Sequence, residues 1–178
     1  MIRERYGCAP IHEFYNRGIL GPKTLIAHCC WITPYEIDIL RSTGASIAHC
    51  PVSNMKLASG ICPVPAALAA GVAVGIGGDG VKENNNLDMF EEMKFAALLQ
   101  KIGSLNARAM PAQDIIRMAT ILGARSIGMQ DELGSLEAGK KADMVLLELR
   151  KPHMSPVLFG KYENVVPNIV YSANGADV

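Results

Sequence analysis

Three short apolar runs, at 24–29, 45–50 and 72–77, recur through the first half of the chain. None alternates strictly with polar residues. Nearly continuous apolar runs of this length suit strands covered on both faces, as in a parallel sheet. Between the first two runs lies a helix signature. Thr33 is a good N-cap, Pro34 fits the first helical position, Glu36 completes a capping box and Gly44 supplies the stop. Between the second and third runs, 64–70 reads as a short alanine-rich helix ended by Gly71. Strand–helix units in series predict a parallel α/β sheet or barrel with right-handed crossovers.

Each run ends in a polar residue: His28, His49 and Asp79. The tripeptide Ala-His-Cys occurs twice, at 27–29 and 48–50, and the third run closes in Gly75-Ile76-Gly77-Gly78-Asp79-Gly80. Four glycines in six residues mark a tight turn, which places Asp79 at the C-terminal tip of a strand. In parallel α/β folds that tip is where chemistry is done. Taken alone, a strand-end aspartate is more often a turn or helix cap.

Before the first run, 1–6 and 11–20 have helical character, with a break at Gly21-Pro22. After Asp79 comes a polar loop over 81–86. A helix over 87–101 follows, its apolar stripe formed by Leu87, Phe90, Met93 and Ala97, with Glu91, Glu92 and Lys94 off it. One of Asn84–Asn86 is a suitable cap, and the methionines read as core filler. Another helix runs from Pro111 to Leu122 and on towards Gly128. The pattern then changes. Residues 134–141 are turn-rich, 142–149 are β-like, and the end reads as loop, with Pro152, Pro156 and Pro167. A boundary near Asp131 divides 1–130 from 131–178.

Composition narrows the classes. In 178 residues, 49% are apolar, and 17 basic side chains balance 17 acidic ones. Zero net charge argues against a nucleic-acid or membrane-surface partner. No apolar stretch reaches membrane-spanning length, and the N-terminus carries no apolar leader core, so the chain reads as cytoplasmic. Five cysteines without a CxxC pair fit reduced, buried thiols.

Together, Ala27-His28-Cys29, the run from His49-Cys50-Pro51 through Leu57, the Gly78-Asp79-Gly80 turn, Asn84 to Met89 and Gly134 to Lys140 resemble the amidohydrolase superfamily. The likeness is to its S-adenosylhomocysteine/methylthioadenosine deaminase and triazine-hydrolase branch. It implies the C-terminal part of a (β/α)8 barrel, strands six to eight with their helices over 1–130. A partial β-sandwich is implied over 131–178. The implied reaction is deamination of an adenosine-type nucleoside by water activated on one divalent metal, usually zinc. Asp79 would ligate metal and shuttle the proton, His28 would contact the water or the group under attack, and His49 and Asn54 would contact substrate or brace the loop beside it. Two departures bear on substrate: Gly78 stands where Thr is usual, and Val81-Lys82-Glu83 replaces small residues. The family's first-strand His-x-His and its fifth-strand His and Glu have no counterpart, so the expectation is an inactive C-terminal fragment. It would self-associate as a homo-oligomer and take a small heterocycle only as part of a complete enzyme. The rival readings are a triazine-type chloro- or aminohydrolase, and a non-catalytic structural or interaction module.

Overall fold

The three apolar runs form one parallel sheet in a computed structural model that describes residues 2–178. Its strands are β1 (Leu25–Ala27), β2 (Ser46–His49) and β3 (Val74–Ile76), in the order β1-β2-β3. Ile26 pairs with Ile47, and Ile47 with Val74, so the central position of each strand shares a row. Two helices precede the sheet, α1 (Ile2–Tyr6) and α2 (Pro10–Asn16). The crossovers carry α3 (Pro34–Thr43), then α4 (Pro51–Lys56) with α5 (Val64–Ala69). After β3 come α6 (Val81–Asn84), α7 (Met89–Ser104), α8 (Ala112–Ala119), α9 (Ile121–Ser126) and α10 (Val165–Ser172).

Helix α3 forms as its signature requires. Thr33 Oγ1 accepts from the Glu36 amide, the Glu36 carboxylate accepts from the Thr33 amide, and Gly44 takes the left-handed φ of 75° that ends the helix. One face of the sheet packs on the helices. Ile47 and Val74 are fully buried there with Leu40 of α3, Val64 of α5, Ala97 of α7 and Ile115 of α8. Burying each large aliphatic side chain contributes about 1.5–3 kcal/mol. On the other face α9 lies close against β3. A Cβ on Gly75 would sit 2.8 Å from Ser126 Oγ and 3.1 Å from Gly123 Cα, so that contact requires glycine.

Several expected elements came out differently. The helix expected over 111–128 is two helices. The break is at Thr120, whose φ of −124° and ψ of −102° lie outside the helical range. Asp88 caps α7, accepting from the Phe90 amide, while Asn84 is used elsewhere. Two helices, each with a proline in its first turn, were not expected. Pro51 is the first residue of α4, and Pro167 is the third of α10, positions whose amides have no helical acceptor in any case. The β-like stretch 142–149 is not a strand: Met144, Val145 and Leu146 are exposed and lie on no ladder. A β-like sequence without a partner strand leaves the backbone nothing to pair with. Nearby α10 packs on α7 and α8, and its Val170 is fully buried in the same core as the sheet.

Candidate active site

Chain direction puts His28 and Asp79 just beyond the C-terminal ends of β1 and β3. Both adopt the left-handed region, His28 at φ 68° and Asp79 at φ 59°, as does Cys29 at φ 52°. Non-glycine residues in this region cost of order 1 kcal/mol or more each, and such strain concentrates where side chains must be aimed. The turns bring His28 Nε2 to 3.7 Å from Asp79 Oδ2. Both side chains are partly exposed in one open cleft of about 440 Å³, also lined by Cys30, Trp31, Ser53 and Glu83.

Helix α4 holds this pair from below. Ser53 Oγ donates to Asp79 Oδ2 at 2.6 Å, and the Gly80 amide donates to Asp79 Oδ1 at 2.8 Å. The Ser53 hydroxyl, then the Gly80 amide and His28, hold the Asp79 carboxyl below the usual carboxylate range, so it is ionised at neutral pH. Asn54 Oδ1 lies 2.9 Å from His28 Nδ1. With the amide oxygen facing the ring, Nδ1 carries a proton and donates it to Asn54, and Nε2 faces Asp79 and the cleft. An ionised carboxylate beside an imidazole can accept a proton from water and pass it on.

His49 and Asn54 are closed off from the cleft. His49 is fully buried and shares a face of β2 with Ile47, on the helix side. Burial, then the proximity of His28, lowers its pKa to about 4, so it is neutral, and neither ring nitrogen has a partner among the described residues. Asn54 is buried beneath His28 and reaches the cleft only through that ring. Lys56 bridges α4 to α6 through the Lys82 carbonyl and Asn85 Oδ1.

Two features went unseen in the sequence, and a third, Glu83, was placed only within a loop that bears on substrate. Glu92, assigned to the polar face of its helix, is fully buried. It falls on the same face of α7 as Ala96 and Leu99, both buried, and that spacing was the available signal. Trp31 stands at the rim, largely exposed yet fixed, with Nε1 donating to the Ser59 carbonyl at 2.7 Å. Glu83 folds over Gly80, where a Cβ would meet its Oε2 at 2.4 Å. The thiols are poor nucleophiles: burial pushes Cys50 up to about 11 and Cys29 to about 12.

Among the described residues, no three His, Cys, Asp or Glu side chains converge as a metal site. His28 and Asp79 offer two donors, whereas a catalytic zinc takes three protein ligands. The chain's own residues therefore do not make up such a site.

Residues 1–178 match the amidohydrolase family. Over 177 residues the chain is 46% identical to a 5′-deoxyadenosine deaminase of Methanosarcina mazei, covering 99% of this chain and 39% of that protein. It is also 46% identical to a 5-methylthioadenosine/S-adenosylhomocysteine deaminase of Moorella thermoacetica, covering 99% and 40%. An adenosine deaminase from Xanthomonas campestris, solved with bound zinc, superposes with a TM-score of 0.91 at 37% identity, over 97% of this chain and 38% of that one. The atrazine chlorohydrolase of Arthrobacter aurescens TC1 superposes at 0.83 with 27% identity, over 98% and 37%. The chain thus spans about two fifths of the length of these relatives. No helix among the described residues is long and apolar enough to cross a membrane.

Proposed function

The chain belongs to the amidohydrolase family, and from that premise we propose that it is part of a hydrolase that deaminates a 5′-substituted adenosine. The observation that carries this reading is the pairing of Asp79 with His28, 3.7 Å apart at the C-terminal ends of parallel strands. Asp79, kept ionised by Ser53 and Gly80, takes a proton from the attacking water. His28, with Nδ1 occupied by Asn54, offers Nε2 to the water or to the heterocycle. Identity favours the nucleoside over the triazine: 46% to the two deaminases against 27% to the chlorohydrolase.

The same proposal covers the rest of the molecule. The sheet is the end of a (β/α)8 barrel, and 142–149 takes strand form only against strands of a longer protein. A divalent metal belongs to that longer protein, with Asp79 as one ligand and the others outside this chain.

The test uses a full-length protein carrying this segment. It should release ammonia from 5′-deoxyadenosine, methylthioadenosine or S-adenosylhomocysteine, and little chloride from a chlorotriazine. Asp79→Asn should lower kcat/KM by about 1,000-fold or more, because the neutral amide neither accepts the proton nor replaces an anionic ligand. Asp79→Asn activity within about tenfold of the parent, or faster chloride than ammonia release, would overturn the reading.

A further inference from the structure

Helix α4 carries both side chains that aim the pair, Ser53 on Asp79 and Asn54 on His28. Its own start is poorly secured. Cys50, in the N-cap position, makes no side-chain cap to the helix, its thiol turning back to the Ala48 carbonyl, and Pro51 has no amide hydrogen. The next amide, of Val52, is one of the orphan donors at a helix start. It donates across the molecule to Glu92 Oε2 of α7 at 3.3 Å.

The other oxygen of Glu92 is also committed. Oε1 accepts from Asn84 Nδ2, and that amide donates in addition to the Gly78 carbonyl at 2.8 Å, in the turn that presents Asp79. Asn84 Oδ1 accepts from the Leu87 amide at 2.9 Å, so turning the Asn84 amide breaks three bonds. One fully buried carboxylate therefore joins the start of α4 to the Asp79 turn. Its two oxygens meet two donors, a demand that a Gln amide, with one oxygen, does not satisfy in both places.

We infer that Glu92 is a positioning residue, fixing α4 against the strand-end turn so that Ser53 and Asn54 address Asp79 and His28. The inference rests on the deaminase reading. It goes beyond it by placing a carboxylate outside the cleft in control of two groups inside. Burial alone does not explain a carboxylate here, since a Met or Leu would fill the space without desolvating a charge. Gln is nearly isosteric but sets its NH2 against the Val52 N–H or the Asn84 NH2, two donors facing each other.

The experiment is a double-mutant cycle of Glu92→Gln with Ser53→Ala in the full-length protein, reading kcat and KM separately. Glu92→Gln should lower kcat about tenfold or more and leave KM within about twofold. The double variant should be no slower than the worse single variant, because Glu92 acts through Ser53. A merely structural contact would give additive losses, and additive losses, or a Glu92→Gln kcat within about twofold of the parent, overturn the inference. Should Glu92→Gln fail to fold, Val52→Pro replaces it in the cycle; it removes the N–H that donates to Glu92, together with the valine side chain, at a first-turn position that tolerates proline. If the parent deaminates none of the nucleosides, the deaminase reading fails, and the brace is read by amide exchange instead. The Asn54 amide should then exchange about tenfold faster in Glu92→Gln, and unchanged exchange overturns the inference by itself.

Discussion

Burial acts in opposite directions on two ionisable side chains, His49 and Glu92, both fully enclosed. Glu92 is pushed up from 4.5 to about 7, mainly by burial, against the opposing pull of the Val52 and Asn84 donors. Its contribution to stability is complete below pH 4.5 and lost as the pH rises through about 7. His49 is lowered from 6.5 to about 4, so its contribution is complete above pH 6.5 and lost as the pH falls through about 4. Each is worth at most about 3 kcal/mol, and between pH 4.5 and 6.5 the two slopes oppose each other. Urea unfolding of the chain from pH 4.5 to 8 should therefore vary little at first and then weaken towards pH 7. Glu92→Gln should remove that weakening, and His49→Asn should remove the loss on the acid side. Parallel curves for all three proteins would contradict this. The strand-end positions of Asp79 and His28 were legible in the sequence, Asp79 from its glycine-rich turn and His28 from the close of an apolar run, both local signals. Glu92 was not: its partner Val52 lies 40 residues away, and a glutamate beside Glu91 looks like solvated surface.

At the level of elements, local chemistry and close approach leave different traces. Helix α3 was readable from Thr33, Pro34, Glu36 and Gly44 because the first three act within three residues of one another and Gly44 acts on the turn just before it. Removing the cap in Thr33→Ala should cost about 1 kcal/mol. The fit of α9 against β3 left no trace except a glycine that also looks like turn punctuation. Gly75→Ala drives a Cβ to 3.1 Å from the Gly123 backbone, which cannot swing aside as a side chain can, so about 1–3 kcal/mol is expected. Thermal melts should rank Gly75→Ala as the more damaging of the two, and the reverse order would show that α9 moves away freely. At α10, Pro167 pointed to loop rather than helix for a physical reason. A first-turn proline and a loop proline are the same letter, and only the following residues' packing, such as Val170 in the core, tells them apart.

For the whole molecule, the order β1-β2-β3 leaves β1 and β3 each with one unpaired edge among the described residues. Unpaired edges are templates for another chain. Leu25 on β1 is 44% exposed, and α7 presents Leu98, Ile102 and Leu105 on one outer stripe, the last two more than half exposed. The parallel sheet was legible because continuous apolar runs report two covered faces, yet no run states what lies beyond its sheet's edge. Charge does little to keep copies apart, since 17 positive and 17 negative side chains leave no net repulsion at neutral pH. We therefore expect the 178-residue chain to self-associate, its open edges and the α7 stripe covered by a second copy in a closed, symmetric arrangement. Light scattering coupled to size exclusion at micromolar concentration should give a mass above that of one chain. Leu98→Glu with Ile102→Lys should shift it towards the monomer. A folded, monodisperse monomer of the parent chain under those conditions would show that these surfaces need no partner.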